Sequence, residues 1–188
     1  MGAHAAGLEI AGDASGLFND STTSFGGLSY LGSSFDVFTA DGFFALGGNA
    51  GSPNYDNLGS LTLSPDAFDY GKSLSTFTLD VTFTDPAGSF DGASTFTAPL
   101  VGQVVNDKTG GVYLDFMDSS KIFGIGEDGK DGWFTLHIDP VAISPGQTVS
   151  LNGYGNADIS TPPLAPAPGA LASMGLGLLG CLVRRRKS

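Results

Sequence analysis

The sequence offers little sulfur chemistry, because it contains a single cysteine, Cys181. One cysteine cannot form an intrachain disulfide, and it cannot supply the several thiolates of a Cys-based zinc site. Cys181 also lies inside an apolar run near the C-terminus, so we interpret it as a small apolar residue, with acylation as the alternative, and exclude a thiol catalytic centre in the preceding chain. A domain built from this sequence must be stabilised by its hydrophobic core without disulfides.

Histidine and glutamate are also scarce: the chain has only His4, His137, Glu9 and Glu127. A Ser/His/Asp triad would have to use His137, yet no G-x-S-x-G motif marks a nucleophile. Glycoside hydrolases need two carboxylates at a defined separation, and the two glutamates lie in a terminal segment and in a loop. Many aspartates adjoin Gly, Pro or Asn, which is typical of turns. We therefore predict no catalytic residues and no enzyme, with a glycoside hydrolase-like enzyme as the third alternative.

Basic residues are few and unevenly distributed. All 19 acidic residues precede the apolar run, and only four of the eight basic residues do. A body with four basic and 19 acidic residues has no electrostatic surface for nucleic acid, and anionic membrane surfaces would repel it. The sequence thus excludes nucleic acid as a partner and leaves the C-terminal end as the membrane contact.

The N-terminal end lacks the basic and apolar regions of a signal peptide. We predict that residues 1–24, which include His4, form a poorly ordered segment. Because the C-terminal end indicates export, we also expect a signal peptide that is missing from the sequence as it starts at Met1.

Helical periodicity is absent before the C-terminal end, whereas Gly and Pro are frequent (29 and 10 residues) and only 14% of residues are charged. This composition favours short strands separated by turns. We predict one all-β domain over residues 25–158, an antiparallel β-sandwich or jelly roll. Its predicted strands are residues 28–31, 34–38, 43–46, 58–63, 74–84, 94–105, 112–117, 121–125, 132–138 and 148–154.

The clearest strand is residues 74–84, in which large apolar side chains alternate with threonine and aspartate. A period of two indicates one buried and one exposed face, and we expect this strand to be central. The apolar positions are Phe77, Leu79, Val81 and Phe83. In the following strand Pro99 cannot donate a ladder hydrogen bond, so an edge or a bulge is expected there.

The same alternation in residues 132–138 places the only tryptophan, Trp133, on the face opposite to the buried set. Exposed aromatic rings on a β-sandwich are typical of carbohydrate-binding modules. We therefore consider Trp133, Tyr113 and Tyr154 as a candidate platform for sugar rings. An isolated Trp that caps the end of the core is the alternative.

A loop at residues 126–132 concentrates the carboxylates of Glu127, Asp128 and Asp131, which are the oxygen ligands that Ca²⁺ prefers. The spacing does not match an EF-hand, and Lys130 opposes cation binding. We favour a solvated turn and no cofactor, with Ca²⁺ as the alternative.

The C-terminal end has three parts: a Pro/Ala-rich linker at residues 159–169, an apolar segment at 170–183 and a basic end at 184–188. An apolar run of roughly 15 residues would rise about 22 Å as a helix, somewhat less than the roughly 30 Å hydrocarbon core. Basic side chains after it can reach the headgroups and hold that end in the cytoplasm. We predict a transmembrane helix at 170–183, with a buried core helix as the alternative.

These three parts resemble the PEP-CTERM sorting signal of Gram-negative bacteria, in which a Pro-Glu-Pro motif precedes a glycine- and leucine-rich membrane segment and an arginine cluster. The segment MGLGLLGCLV is similar to the membrane part of that signal, although the acidic residue of the Pro-Glu-Pro motif is replaced by alanine. The residues that match the signal are Pro166, Ala167, Pro168, Arg184, Arg185 and Arg186. The resemblance implies processing by an exosortase, a transpeptidase-like membrane enzyme, and export into an envelope or biofilm that is often rich in exopolysaccharide.

The body, with NLGSLTLS and later GGVYLDF, loosely resembles uncharacterised β-sandwich domains that accompany such sorting signals. We therefore expect an exported, non-enzymatic protein of the cell envelope or extracellular matrix, attached through its C-terminal helix. A carbohydrate-binding β-sandwich module is the alternative.

Overall fold

The computed structural model describes residues 7–47, 56–86, 93–105 and 108–158, which are mostly antiparallel β-structure. One short helix, α1, and one 3-10 turn, η1, interrupt the strands. In chain order the described elements are β1 Glu9–Phe18, β2 Ser24–Phe25, β3 Leu28–Leu31, β4 Ser33–Phe38, β5 Phe43–Leu46, β6 Ser60–Leu63, β7 Phe68–Asp69, α1 Tyr70–Ser73, β8 Thr76–Asp85, β9 Ala93–Val104, β10 Gly110–Leu114, β11 Ser120–Ile125, η1 Glu127–Gly129, β12 Gly132–Ile138, β13 Val141–Ile143, β14 Thr148–Ser150 and β15 Gly153–Asp158.

The strands form three hydrogen-bonded sheets, and this confirms the predicted all-β class. The large, curled sheet has the order β13-β10-β9-β8-β1-β4, with β7 also paired to β9. A second sheet has the order β11-β12-β15-β5, and a third has the order β14-β6-β3-β2. The arrangement is sandwich-like, because buried side chains from all three sheets join one core.

Aromatic rings connect the sheets within this core. Phe83 of the large sheet contacts Phe123 and Phe134 of the second sheet, with ring centroids 4.7 and 4.8 Å apart. Phe77 of the large sheet contacts Tyr30 of the third sheet at 5.2 Å. Tilted and edge-to-face pairs of this kind add to the free energy gained by burying the rings.

Strand β8 lies between β1 and β9, so the prediction of a central strand at residues 74–84 is confirmed. The side chains of Phe77, Leu79 and Val81 are fully buried, and that of Phe83 is 7% exposed. The intervening threonines and Asp80 are exposed or half-buried. The period-two pattern therefore identified the buried face correctly.

Pro99 marks the point at which β9 changes partners. Residues up to Pro99 pair with β8, whereas residues 100–104 pair with β10. Because proline has no N–H to donate, a ladder cannot continue on both sides of that position. The sequence predicted an edge or a bulge at Pro99, and the structure instead shows a change of partner there within the large sheet.

The prediction of a poorly ordered segment over residues 1–24 is wrong for β1. This strand pairs with β8 on one side and β4 on the other, and the side chains of Ile10 and Phe18 are fully buried. Gly16 shows why the sequence pattern was misleading: a Cβ there would lie 2.6 Å from the Phe77 ring. Large neighbouring rings fill the space above the small residues of β1, so the strand needs few large apolar side chains of its own. His4 lies outside the described residues.

One predicted strand, residues 148–154, is two strands in different sheets. β14 pairs with β6 in the third sheet, whereas β15 pairs with β12 and β5 in the second. Between them the Leu151 N–H donates to the Gly59 carbonyl at 2.9 Å, and the Asn152 carbonyl accepts from Asp139 at 3.1 Å. This crossing directs β15, and thus Tyr154, onto the second sheet.

In the described part of the chain, no helix combines the length and apolar character needed to span a membrane. The predicted transmembrane helix at residues 170–183 lies outside the described residues, so the structure gives it no support.

Candidate functional site

The second sheet presents an exposed aromatic surface on the side away from the core. Residues directly opposite each other on antiparallel strands project to the same side. His137 pairs with Tyr154, Thr135 pairs with both Ile122 and Asn156, and Asn156 pairs with Phe43. We call this surface the outer aromatic face, and it comprises Phe43, Ile122, Trp133, Thr135, His137, Tyr154 and Asn156, with Asp158 at its edge.

Three rings form a continuous stacked row across this face. The Tyr154 ring stacks on His137 with centroids 5.1 Å apart and an interplanar angle of 15°, and on Phe43 at 6.3 Å and 29°. His137 Nε2 also lies 3.2 Å from the Ser120 hydroxyl oxygen on β11. The strands that carry these rings are hydrogen-bonded neighbours, so the row is held by the backbone of β12, β15 and β5.

The apolar side chains of this face are accessible to solvent. Phe43 is 47% exposed, Trp133 is 43% exposed and Ile122 is 73% exposed, whereas their chain neighbours Phe44 and Phe134 are buried. Contiguous exposed apolar surface on a soluble domain often marks a binding surface. The inward side of the same sheet already supplies the core, so the outer rings are not required for packing.

Trp133 lies at the opposite end of β12 from the stacked row. It lies four positions before His137, which corresponds to roughly 13 Å along the strand. Its partner in the register is Asp158, the last residue of β15. Trp133 and Tyr154, two of the three predicted platform residues, therefore share one face and mark its two ends.

Tyr113, the third predicted platform residue, belongs to the large sheet. It lies on β10 opposite Val101 and Ala142, beside a shallow groove of about 350 Å³ whose floor includes Gly111. Of the candidate residues, Tyr154 therefore shares the outer aromatic face with Trp133, and Tyr113 does not. Alternation along a strand shows which side chains are exposed, but it does not show which sheet the strand joins.

Phe43, Ile122 and His137 were missed as members of the candidate site. The sequence Phe43-Phe44 hides the alternation, because the outward and the inward residue are both phenylalanine. Ile122 lies opposite Thr135 on the strand beside β12, where it extends the apolar surface. His137 is half-buried on β12, and its ring stacks on Tyr154.

The predicted calcium loop is a turn between β11 and β12. The Asp131 N–H donates to the Ile125 carbonyl at 3.1 Å, and the Asp131 carboxylate lies over Gly126, whose φ of 74° favours glycine. The side chain of Asp128 lies outside the described residues, and Glu127 begins η1. Among the side chains that the structure describes, no three acidic, histidine or cysteine residues are arranged to hold a metal ion.

Carboxylates also cluster where β1 meets β4 and β8. Desolvation and the neighbouring carboxylates of Asp36 and Asp85 raise the pKa of Glu9 above its ordinary value. The Asp36 N–H donates to Asp56 Oδ1 at 3.2 Å, which brings a fourth carboxylate to this region. Like charges in such proximity repel one another, so this cluster opposes folding when its carboxylates are ionised.

The predicted sorting-signal residues all lie within residues 159–188, outside the described residues. Comparison of the chain with known proteins finds no matching family model, no matching curated protein and no matching solved structure. A function for this chain is therefore argued from its own surface and sequence.

Proposed function

We propose that this chain is an exported, non-enzymatic protein of the bacterial cell envelope or extracellular matrix, in which a single β-sandwich domain is sorted by a PEP-CTERM-like C-terminal signal. The supporting sequence is the uncharged stretch at residues 159–183, which is followed at once by four basic residues. An exosortase would process the signal. The acidic body would remain soluble outside the membrane because its net charge opposes association.

The observation that carries a display role is the position of the outer aromatic face next to the start of the tail. β15 ends at Asp158, and the Pro/Ala-rich linker begins at the next residue. The face is presented on a hydrogen-bonded sheet with the hydrophobic core behind it. A rigid, exposed surface of this kind suits binding better than it suits chemistry on a sequestered substrate.

Cell fractionation tests the sorting proposal when the chain is expressed behind a signal peptide in a host with an exosortase. Leu178→Asp places a charge in the apolar segment at a cost of roughly 2.5 to 3.5 kcal/mol on insertion scales, so this variant should leave the membrane fraction. Leu178→Ile is the matched control and should fractionate like the wild type. Processing should also remove a small C-terminal fragment, which intact-mass measurement would detect. Equal recovery of wild type and Leu178→Asp as soluble protein would overturn the proposal.

A second candidate function is binding of a neutral glycan at the outer aromatic face. Sugar rings can place their apolar sides on Trp133 and on the stacked row, while their hydroxyls bond to polar side chains between them. Thr135 and Asn156 are paired on neighbouring strands, between Trp133 at one end of the face and the stacked row at the other. Their polar side chains can form these hydrogen bonds with the sugar hydroxyls. A neutral polysaccharide is favoured over an anionic one, because 19 of the 23 charged residues before the apolar segment are acidic.

Titration calorimetry with neutral and anionic exopolysaccharides tests this candidate. Trp133→Ala and Tyr154→Ala should each weaken binding about tenfold or more, the loss expected for truncation of a central aromatic contact. Tyr113→Ala is the matched control, since this tyrosine is exposed to a similar extent (43% against 40% for Tyr154) but lies on the large sheet. Equal weakening by all three variants would exclude the outer aromatic face as the glycan site.

A further inference from the structure

The chain leaves the described domain at the edge of the outer aromatic face. Asp158 is the last described residue, and it pairs with Trp133 on the neighbouring strand. The preceding residue, Ala157, donates its N–H to the Gly42 carbonyl at 2.7 Å, so the exit point is held on both sides by backbone hydrogen bonds. Whatever follows Asp158 therefore starts within one residue of the exposed tryptophan.

The sequence that follows is matched in chemistry to this surface. Residues 159–183 contain no charged side chain, and the first part holds Pro162, Pro163, Pro166 and Pro168. Proline-rich segments favour the extended polyproline II conformation, in which little further entropy is lost on binding. Surfaces lined with aromatic side chains are the usual partners of such segments.

The length of the segment is also sufficient. The distance along β12 from Trp133 to His137 is roughly 13 Å. Residues 162–168 would extend about 22 Å in the polyproline II conformation at roughly 3.1 Å per residue. Residues 159–161 remain to reverse the chain direction at the end of β15. The segment is therefore long enough to extend from Trp133 to the stacked row.

Charge favours this surface over the rest of the domain. The outer aromatic face carries one carboxylate, Asp158, at its edge, whereas the large sheet exposes Asp13, Asp36 and Asp80 on its strands. An uncharged segment that covers the rings of this face therefore approaches one strand carboxylate, Asp158, rather than several. Because the segment is tethered at Asp158, its effective concentration at the face is also high, in the millimolar range for short linkers.

We infer that residues 162–168 of this chain dock on the outer aromatic face, with a proline packed on Trp133 and the segment running toward Tyr154. The docked linker holds the domain in one orientation relative to the C-terminal end. It also covers the surface proposed above for glycans, so a glycan and the linker compete for the same rings. The docking itself does not require a glycan, and only the competition rests on the proposed function.

Fluorescence of the full chain tests the docking, since Trp133 is the only tryptophan. Replacing Pro162, Pro163, Pro166 and Pro168 with serine should shift the emission to longer wavelength and increase acrylamide quenching by about twofold, because docking excludes water from the ring. Ala170→Ser with Ala172→Ser is the control and should leave the emission unchanged. All variants are measured in the same detergent over about a hundredfold range of protein concentration, and a contact within one chain is independent of concentration.

A double-mutant cycle gives a second readout that does not use fluorescence. If the segment packs on Trp133, the four-serine replacement should destabilise the wild type but have no further effect in the Trp133→Ala variant. Equal quenching of wild type and four-serine variant, or additive effects in the cycle, would overturn the inference. Concentration-dependent quenching would also overturn it, in favour of docking onto a second copy.

Glycan titration of the four-serine variant separates the docking proposal from the glycan proposal. An absence of glycan binding in this variant would reject the glycan site and leave the docking result intact.

Discussion

The ring of Phe83 on β8 meets the ring of Phe134 on β12 edge to face, with 4.8 Å between the centroids. This contact joins the large sheet to the sheet that carries the outer aromatic face. Phe123 stacks on Phe134 at 5.0 Å and contacts Phe83 as well, so the three rings form one cluster. The position of the outer face therefore depends on the packing directly behind it.

Truncation of Phe83 should have a large effect on stability. Phe83→Ala removes a buried ring from this cluster and should lower the free energy of unfolding by about 3 to 5 kcal/mol in denaturant melts. Thr82→Ala is the control on the exposed face of the same strand and should change it by about 0.5 kcal/mol or less. Similar losses for the two variants would mean that β8 is buried on both faces.

The close packing of β1 against aromatic rings predicts that Gly16 cannot be enlarged without loss. In Gly16→Ala the new Cβ would lie 2.6 Å from the Phe77 ring and 3.1 Å from the Tyr30 ring. Overpacking of this kind should lower the free energy of unfolding by about 1 to 3 kcal/mol. The control is Gly71→Ala in α1, where the nearest atom is 3.5 Å away. A thermal melt unchanged by Gly16→Ala would contradict the central position of β1.

The carboxylates around Glu9 predict that stability depends on pH in the acidic range. The pKa of Glu9 is raised by desolvation and by the carboxylates of Asp36 and Asp85. A raised carboxyl pKa in the folded state contributes stability below the ordinary value of 4.5, and this contribution is lost as the pH rises through the raised value. Asp36→Asn removes one source of repulsion and should raise the melting temperature at neutral pH.

The gain from Asp36→Asn should shrink as the pH falls through the raised pKa of Glu9, and it should also shrink at high salt. Asp115→Asn is the control, since this exposed aspartate lies after β10 and away from the cluster. An equal gain from both variants would attribute the effect to net charge rather than to the contact with Glu9.

Tyr70 predicts a loss of stability at alkaline pH. Burial raises the pKa of Tyr70 to about 12, and its hydroxyl donates to the Gly26 carbonyl. The folded state thus retains a proton that the unfolded state loses near pH 10, so stability falls as the pH rises from about 10 to 12. Tyr70→Phe should flatten this slope in melts recorded from pH 9 to 12, whereas Tyr113→Phe on the exposed side of β10 should not. An unchanged slope in Tyr70→Phe would show that another group causes the alkaline loss.

The sequence alone was sufficient where large apolar side chains alternate clearly with polar ones, as in β8 and β12. The pattern around Phe77 and Phe83 identified β8 and its buried face, and the parity of residues 132–138 placed Trp133 outside and Phe134 inside. Such patterns are readable because successive side chains of a strand point to opposite sides, whatever the strand pairs with. The missing N–H of Pro99 is also visible in the sequence, and it predicted an edge or a bulge at the position where β9 changes partners.

Tertiary structure alone decided which strands become neighbours. The sequence does not show which sheet Tyr113 or Tyr154 belongs to. The two residues lie on different sheets because β10 pairs with β9 whereas β15 pairs with β12. The small residues of β1 form a central strand because rings such as Phe77 and Tyr30 pack over Gly16. Pairing depends on contacts between residues far apart in the chain, and the outer aromatic face exists only after β5, β11, β12 and β15 have met.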